Sequence, residues 1–190
     1  MRLTIVEETQ KWIGDVVVGC NFCPFAAKEL NADTIHYRVE ASQQASLLRQ
    51  AVIDECRWLD ERPATETSFI IFPNALPDFN DYLDFVDVAE RLLVRLGYES
   101  IYQIASFHPH YCFADSSPQD AANYTNRSLY PMLHLLREAS LERALDRYPD
   151  PENIPLRNLE LARSKGLIYM QNLRSACGSE HQPQADIGSE

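Results

Sequence analysis

The sequence predicts a small single-domain α/β protein, and three observations lead to that class. Alternating or unbroken apolar runs recur at Thr34–Glu40, Thr67–Pro73 and Ile101–Phe107, as strands require. Two stretches between them, Ser42 to about Arg62 and Asp81–Leu96, carry apolar residues at helical spacing. The resulting order, strand–helix–strand–helix–strand, is the pattern of parallel crossovers with helices packed on a sheet. The expected architecture is a three- or four-stranded sheet with βαβαβ order flanked by helices. A ferredoxin-like α+β arrangement, built on a split βαβ unit, is the alternative.

The elements follow in order. Thr4-x-x-Glu7 is a capping-box pattern, and Ile5, Thr9, Trp12, Ile13, Val16, Val17 and Cys20 continue it at helical spacing, with Gly19 as a stop. Pro24 suits the first position of a short helix running to Leu30. In Thr34–Glu40, Ile35, Tyr37 and Val39 alternate with His36, Arg38 and Glu40, which describes a half-exposed strand. Phe69-Ile70-Ile71-Phe72 is unbroken, as expected of a central strand covered on both faces. The helix from Asp81 presents Tyr82, Phe85, Val86, Ala89, Leu92, Leu93 and Leu96 on one side and stops at Gly97. A third strand, Ile101–Phe107, ends at His108-Pro109, and a short fourth strand near Tyr111–Ala114 can pair back onto it. Leu129 or Pro131 to about Tyr148 is read as a helix. Ile154–Lys165 is another, closed by Gly166.

Composition narrows the function classes. A chain of 190 residues with 45% hydrophobic residues fits one domain, here residues 1–170, with a polar, flexible tail over 171–190. The longest apolar runs fall far short of the ~20 residues a bilayer demands, so no membrane partner is expected. The N-terminus leads straight into an amphipathic segment without a signal-peptide core, so the cytoplasm is the expected compartment. A net charge of −11 opposes binding to nucleic acid. Five cysteines at irregular spacing make a disulfide framework improbable.

Candidate chemistry gathers after the third strand. In open α/β sheets ligands sit beyond the carboxyl ends of the strands. The irregular segment from His108 is long enough that a working loop is the usual explanation. It leads to Asn126, Arg127 and Ser128 at the start of the expected helix, whose free N–H groups and dipole suit an anion. His134, Arg137 and Glu138 would share one side of that helix. Arg127 and Arg137 are therefore candidates to bind a small carboxylate or phosphate, and His108 and His134 candidates for proton transfer. The plainer alternative is a capped helix whose Arg and Glu make surface pairs and whose His fills a crevice. Cys23, read as N-cap of the short helix, is a candidate nucleophile, while Cys20 continues an apolar stripe and reads as a core residue. His108, His110 and Cys112 alternate as metal ligands can, but no metal is assigned; no cofactor is indicated, and no Gly-rich phosphate loop occurs.

Several blocks together resemble a family of uncharacterised bacterial proteins, domain of unknown function 1415. They are Glu8-Thr9-Gln10-Lys11-Trp12, Gly19-x-Asn21-x-Cys23-Pro24-Phe25-Ala26, Phe79–Phe85, Ala105-Ser106-Phe107-His108-Pro109, and Asn123–Ser128 running through Tyr130-Pro131 to His134–Ser140. The resemblance covers Glu8 to about Gly166 and implies no activity, because none is established for that family. Cys23, His108, Asn126, Arg127, His134 and Arg137 match its pattern. Cys20, His110 and Cys112 depart from it, which argues against a C-x-x-C redox pair and a three-ligand metal site, and Leu129 replaces a proline. The expected function is an enzyme acting on a small anionic metabolite, with a non-catalytic ligand-binding or protein-interaction module as the alternative.

Overall fold

The computed structural model describes residues 3–178. The chain opens with helix α1, Ile5–Trp12, closed at its start by the expected capping box: Thr4 and Glu7 each accept the other's backbone N–H. At Ile13 the helix widens into a π-helical segment, Ile13–Val18. Helix α2 is short, Ala26–Asn31, and leads to edge strand β1, Ile35–Val39. Helix α3, Ala45–Asp60, strand β2, Thr67–Ile71, helix α4, Phe79–Arg95, and strand β3, Tyr102–Phe107, then follow as the periodicity predicts.

The fourth strand is not where the sequence placed it. Tyr111–Ala114 is irregular, and β4 is Met132–Arg137, inside the stretch expected to be helical. Helix α5 starts only afterwards, at Glu138–Leu145. The run Met-Leu-His-Leu-Leu-Arg satisfies both a period of two and a helical period, and a short apolar run does not decide between them. Tertiary pairing decides it here. The β2–α4–β3 crossover leaves a one-strand gap, and β4 fills it antiparallel to both neighbours, giving the order β1-β2-β4-β3. β1 pairs parallel with β2, and all five residues of β2 are buried.

The class is therefore α/β, with a split βαβ unit in place of a simple βαβαβ sheet. Alternation along β4 serves two cores. Leu133 and Leu135 join Ile70, Phe72, Tyr82 and Leu59 beneath α3 and α4. Met132 joins Trp12, Ile13, Val16, Phe69 and Ile71 on the other face, covered by α1, the π-helical segment and two last helices, α6, Ile154–Lys165, and α7, Leu167–Ser175. Residues 171–178 of the expected loose tail are thus held: α7 runs to Ser175, Cys177 is buried, and Arg174 Nε donates to Ser128 O at 2.8 Å. The remainder of that expected tail lies outside the described residues.

Tyr82 pins the new strand. Its buried hydroxyl donates to Met132 O at 2.7 Å and accepts from Phe107 N at 2.9 Å, tying the ends of β3 and β4 to α4. Tyr82→Phe leaves a buried C=O and a buried N–H without a partner. That costs about 2–3 kcal/mol, read as a lower urea midpoint with an unchanged slope.

Candidate functional site

The helix N-terminus expected at Ser128 does not form, because the chain from Asn126 to Tyr130 runs directly into β4. Ser128 is fully buried and its hydroxyl donates to Tyr130 O at 2.5 Å. Asn126 is a splice between segments: Nδ2 donates to Ser106 O at 3.2 Å, and its carbonyl accepts from His108 N at 3.2 Å. Arg127 lies over the Tyr124 ring, with Nε on Tyr111 O and Nη2 on Pro118 O, each at 2.9 Å.

His108 is adjacent to Asn126, as the strand-end picture requires, but it is sealed. Its exposure is 0%, Nε2 meets Leu76 O at 3.0 Å, and Nδ1 accepts from His110 N at 3.0 Å. Both nitrogens are engaged by backbone, which fixes a neutral tautomer; burial lowers its pKa despite the pull of the Leu76 carbonyl. Arg137 faces away from His134, because residues three apart on a strand occupy opposite faces. All three guanidinium nitrogens are engaged: Nε on Thr65 O, Nη2 on Leu59 O and Arg62 O, Nη1 on Tyr102 Oη. It closes the end of α3.

Two candidates do meet. Cys23 and His134 line one pocket of about 220 Å³ between the sheet and the layer formed by α1, the π-helical segment, α2 and α5. The pocket exists because of side-chain size. Across the sheet the register sets Tyr37 against Phe69, Phe69 against His134, and His134 against Ala105. The two rings stack, with centroids 3.9 Å apart and planes 8° off parallel. Ala105 ends the row and leaves the sheet bare beside His134. Trp12 and Phe107, edge-to-face at 5.3 Å, stand as a wall. Ala26 and Ala144 are small on the opposite side.

His134 is held in one tautomer. Thr67 has a single hydroxyl proton and donates it to Leu135 O at 2.6 Å. His134 Nε2, 2.5 Å from the same hydroxyl oxygen, therefore carries the ring N–H and donates it. Nδ1 is left as an acceptor with no hydrogen-bond partner among the described residues. Burial pushes this imidazole down to about 3, so it is neutral at ordinary pH.

Cys23 lies one turn ahead of α2 rather than at its N-cap, which is Phe25. Burial pushes its thiol pKa up, and the N–H groups of Phe25 and Ala26 oppose that shift. The loop that carries Cys23 is tightly determined. Gly19 donates to Gly14 O at 3.0 Å in a π-type bond, and a Cβ on Gly19 would fall 2.3 Å from Asp15 O. Asn21 is left-handed at φ 53°. A π-helical segment followed by a strained residue is frequent at working sites.

Glu29, Glu66 and Ser140 form a polar edge, tied to the surface through Glu29 to Lys28 and Ser140 to Glu66. Among the described residues no three His, Cys, Asp or Glu side chains converge to hold a metal. Sequence reading missed Trp12, Thr67, Ala105 and Phe107. A pair of small residues between large ones in Ile104-Ala105-Ser106-Phe107 is the signal that was available.

The His134 shift makes a pH prediction. The folded state keeps the ring neutral down to about pH 3, whereas the unfolded chain takes up a proton near 6.5. The unfolded state thus binds more protons between these values, and stability is lost as pH falls through that window, by up to ~1.4 kcal/mol per pH unit for this group. His134→Gln keeps a donor for Thr67 but cannot titrate. Urea denaturation at pH 7, 6 and 5 is expected to give a shallower pH slope in the variant, and His108 sustains the slope that remains.

A model for the family described as Protein of unknown function (DUF1415) matches residues 4–172. Neither the curated proteins nor the solved structures compared with the chain give a match.

Proposed function

We propose that this chain, which belongs to the DUF1415 family, binds a small, neutral, largely apolar ligand in the pocket over Ala105 and His134. One observation carries the reading. Most of the pocket's wall is aromatic and aliphatic; the charged side chains on it are already engaged, Glu29 by Lys28, Glu66 by Ser140 and Arg137 by backbone carbonyls and Tyr102, and Cys23 and His134 are neutral at pH 7. An apolar pocket with a few placed polar groups is the usual form of a small-molecule site.

The anionic-metabolite reading has weaker support. It relies on Arg127 and Arg137, whose guanidinium groups are taken up by backbone carbonyls and Tyr102, and on an N-terminal helix end that β4 replaces. A carboxylate entering this pocket would lose its hydration and meet Glu29 and Glu66 on the lining, while the Arg137 guanidinium there is already bonded to backbone carbonyls and Tyr102 Oη.

A catalytic reading has one observation in its favour, the thiol of Cys23 and the imidazole of His134 lining the same pocket. Burial works against it, since a nucleophilic cysteine needs a lowered pKa and Cys23 has a raised one. Binding without turnover is the reading best supported.

Thermal unfolding with benzene and, separately, with millimolar succinate tests the proposal. Benzene at ~100 times its Kd adds about 2.7 kcal/mol, which raises the Tm by roughly 5–10 °C for a chain of this size. Succinate is expected to do nothing. Ala105→Leu fills the pocket, keeps or raises the Tm, and removes the benzene response. A response to succinate alone would reverse the proposal.

A further inference from the structure

A second space, of about 280 Å³, lies between the Phe113 and Asn126 segments and helix α6. It adjoins the first, because Val17, Cys23 and Phe107 line both. The two differ in polarity. Asn158, on the α6 wall, is only 9% exposed, and its Nδ2 donates to Phe22 O at 2.5 Å. That bond fixes the amide, since a carbonyl can face only the NH₂ end. Asn158 Oδ1 is then an acceptor, on a largely buried side chain of the cavity wall, to which no described residue donates. The neighbouring polar side chains are engaged among themselves: Asn126 Nδ2 donates to Ser106 O, and the single Thr125 hydroxyl proton lies between Ala122 O and Asn126 Oδ1, each 2.9 Å away.

We infer that the two spaces are one bipartite site for a neutral single-chain amphiphile. The hydrocarbon lies over Ala105 and His134, the chain passes the waist at Cys23, and a hydroxyl or amide N–H donates to Asn158 Oδ1. This rests on the apolar-pocket reading above and names its ligand class. A carboxylate head is unsuited, because its lone pairs would face those of Asn158 Oδ1. The thiol of Cys23 borders both spaces and contributes no bond to the ligand; it is a marker of occupancy.

Octan-1-ol, its methyl ether and benzene are the probes. Trp12, on the first cavity's wall, reports binding by fluorescence in a Trp58→Phe background, since Trp58 lies on the opposite face of the sheet, stacked on His36. Octan-1-ol is expected to bind at least tenfold tighter than the ether, which cannot donate. It is expected to slow alkylation of Cys23 by N-ethylmaleimide at least tenfold, with Cys112, outside both spaces, labelled at its usual rate. Asn158→Leu, which touches the second space alone, erases the preference for the alcohol while benzene still binds. Equal binding of alcohol and ether, or octan-1-ol bound with Cys23 unprotected, overturns the bipartite site. Benzene binding alone would sink this inference and spare the apolar pocket; no binding of any probe sinks both. Should Asn158→Leu fail to fold, the protection of Cys23 in the unsubstituted protein decides.

Discussion

The insertion of β4 between β2 and β3 is the constraint on which the rest of the molecule depends. The β2–α4–β3 crossover brings two parallel strands to within one strand's width, leaving two rows of backbone N–H and C=O groups with no partner. Buried polar backbone must be paired, so the gap must be filled by a strand. Only a segment apolar on both faces suits that place. Met132–Arg137 meets the demand with Leu133 and Leu135 on one side and Met132 and His134 on the other. The Tyr82 hydroxyl then stitches the far end, where the β3–β4 ladder stops.

From this constraint follows the pocket. A strand in the middle of the sheet places whatever it carries at the centre of a face, and β4 carries a histidine there. An imidazole at such a position needs a partner for its N–H, and Thr67 on β2 supplies one, while Phe69 stacks on its plane. The neighbour on the other side, Ala105, is too small to fill the row. The π-helical turn of the first helix carries Ile13 and Val17 along the resulting space, and the strained turn after it brings Cys23 there. A sealed core would have been reached more simply with a leucine at position 105 and an unbroken α-helix.

Much of the architecture was legible because its signals are local. The capping box at Thr4, the alternation in Thr34–Glu40, the unbroken Phe69–Phe72 run and the stop at Gly97 each report on a neighbourhood of a few residues, and each has the expected structural counterpart. The stretch from Leu129 was misread because Met-Leu-His-Leu-Leu-Arg is consistent with either period. What makes it a strand is the gap between β2 and β3, and no local signal reports a gap. The candidate site inherited that error. Arg127, Arg137 and Ser128 were grouped by a helix that is not there, and their polar atoms serve backbone carbonyls instead. Cys23 and His134 were selected for their chemistry, and the fold sets them in one pocket by a route the sequence does not display. Thr67 and Ala105 carry no chemical signature of their own.

Charge and polarity are divided in a way that bears on what the pocket accepts. The net charge of −11 is carried largely by solvated helix faces such as Asp81, Asp84 and Asp87, whereas the floor under Trp12 and Phe107 is neutral. An anion approaching this molecule meets repulsion at long range and, at the pocket, the loss of its hydration beside Glu29 and Glu66, with the Arg137 guanidinium already bonded to backbone carbonyls and Tyr102. A cation is drawn to the surface and to Glu29 and Glu66 on the lining, which Lys28 and Ser140 already engage, but it meets the same desolvation at the floor, where His134 Nδ1 supplies only a weak dipole. A neutral molecule escapes both penalties and gains the burial of its apolar surface, at roughly 25 cal/mol per Å². His134 Nδ1 then acts as a selector among neutral ligands: the Thr67 hydroxyl is already satisfied by Leu135 O and His134 Nε2, whereas a purely hydrocarbon occupant leaves His134 Nδ1 unsatisfied. Discrimination at such a site comes from the group left unpaired by the wrong ligand more than from any contact with the right one.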